Sequence, residues 1–212
     1  MLDNITVFTQ SSIRIKSSTG TIYLDPLEIP EEYHDADYIL ITHNHGDHFS
    51  PKDIEKVARA ESVLIVPEKM EKQARELQAD IDHVETVIPG KHYQVKDLKF
   101  ETVAAYNNLK PFHPKKSGWV GYLLYVDASR IYVAGDTDVT KENKAVKCDI
   151  AMVPIGGTFT MDAAKAAELV NCIEPEIAIP THYGTIVGKY SDAEIFAAKV
   201  KETVRIELKL KQ

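Results

Sequence analysis

Apolar residues along the chain fall mainly into short runs separated by turn-forming residues, the spacing that strands produce. In the first half these runs predict strands over residues 5–8, 12–16, 21–25 and 38–42. The last opens with the continuous apolar run Tyr-Ile-Leu-Ile, as a buried strand does. Ser50-Pro51 then reads as a helix start, with serine as N-cap, proline at the first helical position and Asp53 in the first turn. A strand over 62–66, a charged helix over 67–79, and strands over 83–88 and 95–106 follow. The second half predicts strands over 121–127, 130–134, 150–154 and 176–180. Its helices span 162–172 and 192–202, the latter opened by a capping box of Ser191 with Glu194. Two β-rich halves, each with its own helices, predict two sheets packed face to face with helices outside.

Composition narrows this picture. A chain of 212 residues, 44% hydrophobic, is sized for one core, and residues 1–212 are read as a single domain. The net charge of -7 and pI near 5.6 argue against nucleic acid as a main partner; a small-molecule substrate is the partner expected. Nothing in the sequence specifies an oligomeric state. Cys148 and Cys172 lack any metal-ligand spacing and are read as small buried apolar residues in a reducing compartment. The N-terminus has neither a basic region nor a long apolar stretch, and no uncharged run of about 18 residues occurs, so no membrane span and a cytoplasmic location are expected.

The chemistry concentrates after the strand over 38–42, where His43-Asn44-His45-Gly46-Asp47-His48 packs three of the eight histidines and one aspartate into a strand-to-helix loop. His43 and His45, two apart on an extended segment, point the same way, while the turn at Gly46 redirects Asp47 and His48, so one loop can feed two adjacent metals. A mixed imidazole and carboxylate set suits a divalent ion that activates water, with zinc favoured over iron.

An HxHxDH run after an apolar strand, preceded by Leu24-Asp25-Pro26, resembles the metallo-β-lactamase superfamily. Gly135-Asp136-Thr137 and Pro180-Thr181-His182-Tyr183-Gly184 are similar to its later motifs. The stretch from Val153 to Met161 resembles its small stand-alone hydrolases, related to ascorbate-6-phosphate lactonase and N-acyl-phosphatidylethanolamine phospholipase D. The resemblance implies an α/β (α+β) fold, the four-layer αββα sandwich of two mixed sheets. It also implies a dinuclear site, with two Zn2+ expected and Mn2+ or Fe as substitutes. By that layout His43, His45 and His113 hold one metal and Asp47, His48 and His182 the other. Asp136 and a water-derived hydroxide lie between them, and Asp47 handles the catalytic proton. The substrate would be an ester, lactone, amide or phosphodiester.

The family's third motif carries a histidine where this chain has Asn107, at the end of the predicted strand over 95–106, and His113 six residues on is read as its replacement. Asn107 as a neutral amide ligand is the competing reading. It keeps a catalytically degenerate metal-binding or regulatory module open beside a non-heme iron redox protein. Asp25 is read as a carboxylate orienting a ligand histidine, with a turn role as the competitor. His34, His83 and His92 are read as surface histidines. Gly156-Gly157, before a helix, fits either a tight turn or backbone N–H groups offered to an anion.

Overall fold

The β-rich halves become two sheets in the computed structural model, which describes residues 2–108 and 110–210. Among the described residues the first sheet has the order β1-β2-β3-β4-β5-β6. Its strands are Ile5–Val7, Ile13–Ser17, Gly20–Leu24, Tyr38–Leu40, Val63–Pro67 and His83–Val87. The second runs β13-β12-β11-β10-β9-β8-β7. Here β7 is His92–Val95, β8 Leu98–Ala104, β9 Val120–Val126, β10 Ser129–Val133, β11 Ile150–Pro154, β12 Ile177–Thr181 and β13 Arg205–Ile206. Each sheet is antiparallel on one side and parallel on the other, the change falling at β3 and at β10.

Strand alternation sorts the side chains into layers. Ile13, Ile15, Ile22, Leu24, Leu40 and Ile65 of the first sheet meet Phe100, Tyr122, Leu124, Val133 and Met152 of the second in the central core. On the far side of the first sheet, Ile39, Ile41, Leu64 and Val66 pack under Ile54 and Val57 of α1 (Pro51–Val57) and Ala74 of α2 (Glu71–Arg75). On the far side of the second, Ala151, Val153 and Ala178 pack under α4 (Ala163–Ile173) and Phe196 of α5 (Asp192–Lys199), while α3 is the short turn Lys141–Lys144. The result is the αββα order expected. Among the described residues no helix is long and apolar enough to cross a membrane.

Several elements differ from expectation for local reasons. The strand over 95–106 is the hairpin β7-β8, whose two-residue turn places Lys96 at φ 49. Lys-Asp lacks the Asn-Gly signature that marks such turns. The charged helix over 67–79 is a 3-10 turn at Glu68–Met70 followed by α2. Beyond it Leu77, Ala79 and Ile81 lean on the core at every second residue, an extended rather than helical period. Ser191 makes no side-chain cap. The capping box is instead at Thr140, whose side chain accepts from Asn143 N while Asn143 Oδ1 accepts from Thr140 N. Cys148 is buried, but Cys172 is exposed, because Leu169, Val170 and Ile173 occupy the inward stripe of α4.

The pairings make β3 and β4 end at one edge of the first sheet and β8, β10 and β12 at one edge of the second, and contacts such as His48–Asp136 and Asp47–His182 bring these two edges together. Asp25, His43, Asn107, Asp136 and His182 each lie within three residues of one of those ends. Ligand sites of open α/β sheets favour the carboxyl ends of strands for the same reason: the chain leaves the sheet there and can turn inward.

Candidate metal centre

Four loops converge at this edge. The first carries the histidine run and is stapled at its root by Asp25. Asp25 Oδ1 accepts from Thr42 N at 2.8 Å, and its Oδ2 accepts from Thr42 Oγ1 at 2.6 Å and lies 2.7 Å from His48 Nδ1. With its hydrogen given to Asp25, the Thr42 hydroxyl oxygen is free to accept from His43 Nδ1, 3.0 Å away. The outer nitrogens of both histidines are thereby engaged, and their Nε2 atoms face inward. Asp25 therefore does more than turn the chain before Pro26.

Asp136, three residues beyond β10, stands at the centre with one oxygen toward each of two groups. Its Oδ2 lies 3.3 Å from His113 Nε2 and 3.9 Å from His43 Nε2. Its Oδ1 lies 3.3 Å from His48 Nε2 and 3.4 Å from His182 Nε2. His45 Nδ1 is 3.1 Å from His43 Nε2, and Asp47 Oδ2 is 3.2 Å from His182 Nε2 and 3.6 Å from His48 Nε2. Within 4.8 Å, potential ligand atoms gather as His43, His45 and His113, as Asp47, His48 and His182, and as His43, His48 and Asp136. All seven residues singled out in the sequence are thus in one cluster, with His45 and Asp47 on its more accessible side and the other five buried.

His113 rather than Asn107 turns toward Asp136. Asn107 donates its amide hydrogens to Phe159 O at 2.7 Å and Phe112 O at 3.1 Å, and its backbone N donates to His113 O at 2.8 Å. The loop over 107–113 therefore closes on itself and delivers the histidine from six residues downstream. Lys110 straps the same loop to the carbonyls of Gly157 and Thr160.

Gly157 N donates to Met161 O at 3.0 Å, so its N–H serves a tight turn rather than an anion. A Cβ on Gly156 would sit 2.3 Å from His182 O, which makes that glycine a close-approach residue under the last histidine. His34, His83 and His92 are exposed and away from the cluster.

Charge is distributed unevenly. Burial opposes ionisation of Asp136, but the imidazoles of His182 and His48 outweigh it and hold the carboxyl well below the usual carboxylate range. Burial also opposes a charge on His48, yet Asp136 and Asp25 together push it well above the ordinary imidazole value. His43 is pushed well below that value by burial and then by His48, and His45 is lowered by burial and then by His113. Asp47 is lowered because bonding to His182 and the His48 ring overcome its desolvation. Buried His48 Nε2, His113 Nε2 and Asp136 Oδ1 have no hydrogen-bond partner among the described residues, although both nitrogens lie 3.3 Å from an oxygen of the Asp136 carboxylate. Converging unpartnered nitrogens around a carboxylate are the donor set a divalent cation fits.

Three contributors escape sequence reasoning. Thr42 gives no signal beyond preceding His43. Trp119 walls the His43, His45 and His113 rings with centroid separations of 4.9, 5.0 and 5.1 Å. As the only tryptophan of the chain, and six residues from His113, it was open to notice. Gln10, in the β1-β2 loop, lends its carbonyl to His182 N at 2.9 Å.

Residues 4–182 match the model of the Beta-lactamase superfamily domain. The chain is 34% identical over 190 residues to a UPF0173 metal-dependent hydrolase of Aeropyrum pernix, covering 82% of this chain and 76% of that protein. A UPF0173 metal-dependent hydrolase of Methanopyrus kandleri is 32% identical over 181 residues, covering 82% and 77%. A crystal structure of a putative metal-dependent hydrolase from Parabacteroides distasonis superposes with a TM-score of 0.82 at 28% identity, covering 98% of this chain and 93% of that one.

Proposed function

Since this chain belongs to the β-lactamase superfamily, as a metallo-β-lactamase-fold member akin to the UPF0173 metal-dependent hydrolases, we propose that it is a dinuclear hydrolase, with zinc as the preferred ion. The observation that carries the reading is Asp136, whose two oxygens face two separate ligand groups. His43, His45 and His113 would hold one cation and Asp47, His48 and His182 the other, with Asp136 shared. Two divalent cations so held would acidify water and neutralise charge developing on a carbonyl or phosphoryl oxygen.

The chain's own residues do the rest. Asp25 and Thr42 fix the rings of His48 and His43, so that both Nε2 atoms keep their aim without reorganisation. Trp119 shields one side of the imidazole cluster from water. Asp47 is the partly exposed carboxylate of the cluster, kept ionised by His182 and His48, and it accepts the proton of the attacking water and returns it to the leaving group. The substrate class this chemistry serves is an ester, lactone, amide or phosphodiester.

Elemental analysis of protein purified without chelators tests the reading, with wild type and His113→Ala side by side and a panel of generic ester and phosphodiester substrates. Two zinc per chain in wild type, a lower content in His113→Ala and hydrolysis lost with it are the expected results. One metal or none in wild type would overturn the dinuclear centre, and two metals in both proteins would remove His113 from it.

A further inference from the structure

A metal-binding imidazole presents one nitrogen to the ion and needs a partner for the N–H of the other, which fixes tautomer and ring orientation. In this cluster His48 Nδ1 has Asp25 and His43 Nδ1 has Thr42. His182 Nδ1 is buried with no hydrogen-bond partner among the described residues. So is Oε1 of Gln10. The two residues are already joined, since Gln10 O accepts from His182 N at 2.9 Å. Gln10 is fully buried and stands in the left-handed region at φ 43, as His182 does at φ 55, a conformation that non-glycine residues hold only when their surroundings enforce it. The other end of its amide is spoken for, because Nε2 donates to Thr185 Oγ1 on the loop that follows His182. With the nitrogen committed there, the oxygen is left as a buried acceptor without a donor, on a residue whose backbone carbonyl holds a histidine that lacks an acceptor, and buried polar groups are seldom left so.

We propose that Gln10 is a positioning residue of this centre, whose Oε1 accepts the Nδ1 hydrogen of His182 and so presents His182 Nε2 to the cation shared with Asp47 and His48. This rests on the two-cation reading of the cluster. The backbone bond already holds the two residues together, and Gln10 Oε1 and His182 Nδ1 are their unpartnered buried groups. It gives His182 what Asp25 gives His48, through a neutral amide rather than a carboxylate, and so adds no further negative charge to a cage that already holds Asp25, Asp47 and Asp136.

Metal-free wild type, Gln10→Leu and Gln10→Glu, each checked for fold by circular dichroism, would be titrated with zinc against a chelating chromophore. Leucine fills the space without an acceptor, whereas glutamate keeps one. Wild type and Gln10→Glu should each take up two zinc ions tightly, while Gln10→Leu should keep one tight site and bind the second about 10–100-fold more weakly. In zinc-loaded protein carrying 15N-histidine, the His182 Nδ1–H resonance should be protected from exchange in wild type, move downfield in Gln10→Glu and disappear in Gln10→Leu. Equal affinities at both sites in wild type and Gln10→Leu would overturn the role of Gln10 and leave the two-cation centre standing. Wild type that binds no zinc would overturn both. Should Gln10→Leu fail to fold, an Nδ1–H resonance unmoved between wild type and Gln10→Glu would by itself overturn the proposal.

Discussion

Asp25 shows how much a single buried carboxylate can organise. It accepts from Thr42 N, from the Thr42 hydroxyl and from the His48 ring, so every contact it makes is with a donor. Burial pushes its carboxyl upward, and His48 pulls it partly back. In Asp25→Asn one oxygen becomes an NH2 that must face one of those donors, leaving a buried group unsatisfied at a cost of about 1–3 kcal/mol. The chemical-denaturation midpoint of metal-free protein should fall accordingly, and an unchanged midpoint would show that the carboxylate is not needed there. The residue scale is also where the sequence was most legible. Three histidines and an aspartate in one loop announce their chemistry, because such residues are rare and the spacing is unusual. Thr42 and Gln10 act through one hydroxyl and one amide, and such groups decorate any loop. Nothing in the composition separates them from Thr9 or Ser11 beside them.

At the scale of elements, the long strands and α4 could be read because their apolar residues keep a steady period. The β7-β8 hairpin, α3 and β13 could not, since a Lys-Asp turn carries no hairpin signature and neither Lys-Glu-Asn-Lys nor Arg-Ile offers an apolar run. What the elements deliver to the site depends on close approaches invisible in one dimension. Gly156, past the end of β11, lies where a Cβ would meet His182 O at 2.3 Å and a Val187 methyl carbon at 2.7 Å. The first of these is backbone and cannot swing away. Gly156→Ala should therefore destabilise the protein by about 1–3 kcal/mol through overpacking and displace His182 from Asp136. Thermal unfolding and zinc content measured on the same preparation check both halves of this expectation. A normal melting temperature with normal zinc content would mean that the β12 end yields without disturbing the histidine.

For the molecule as a whole, the layered sandwich followed from two β-rich halves, and the site followed from where their strands end; the two meet in the pH dependence of stability. In the metal-free chain His48 is held protonated by Asp136 and Asp25 against its own burial, well above the ordinary imidazole value. A raised value means that its ion pairs stabilise the fold fully below the ordinary imidazole range, and that this contribution is lost as pH rises through the folded-state value. A cation bound at His48 Nε2 must displace that proton, so binding releases protons and tightens as pH rises. His43 and His45, already kept neutral by burial and by neighbouring imidazoles, add little to this competition near neutral pH. The two trends run in opposite directions, with the stripped protein losing stability toward alkaline pH while the metal adds more. With free metal at about 1,000 times its dissociation constant, one site adds about 4 kcal/mol. For a chain of this size that corresponds to a rise in Tm of about 10–15 °C per site. The gap in Tm between zinc-loaded and chelator-stripped protein should therefore widen between about pH 6 and about pH 8.5, where imidazole protonation changes. A gap that stays constant across that interval would show that no imidazole proton is displaced, and would remove His48 from the set of residues that hold the ion.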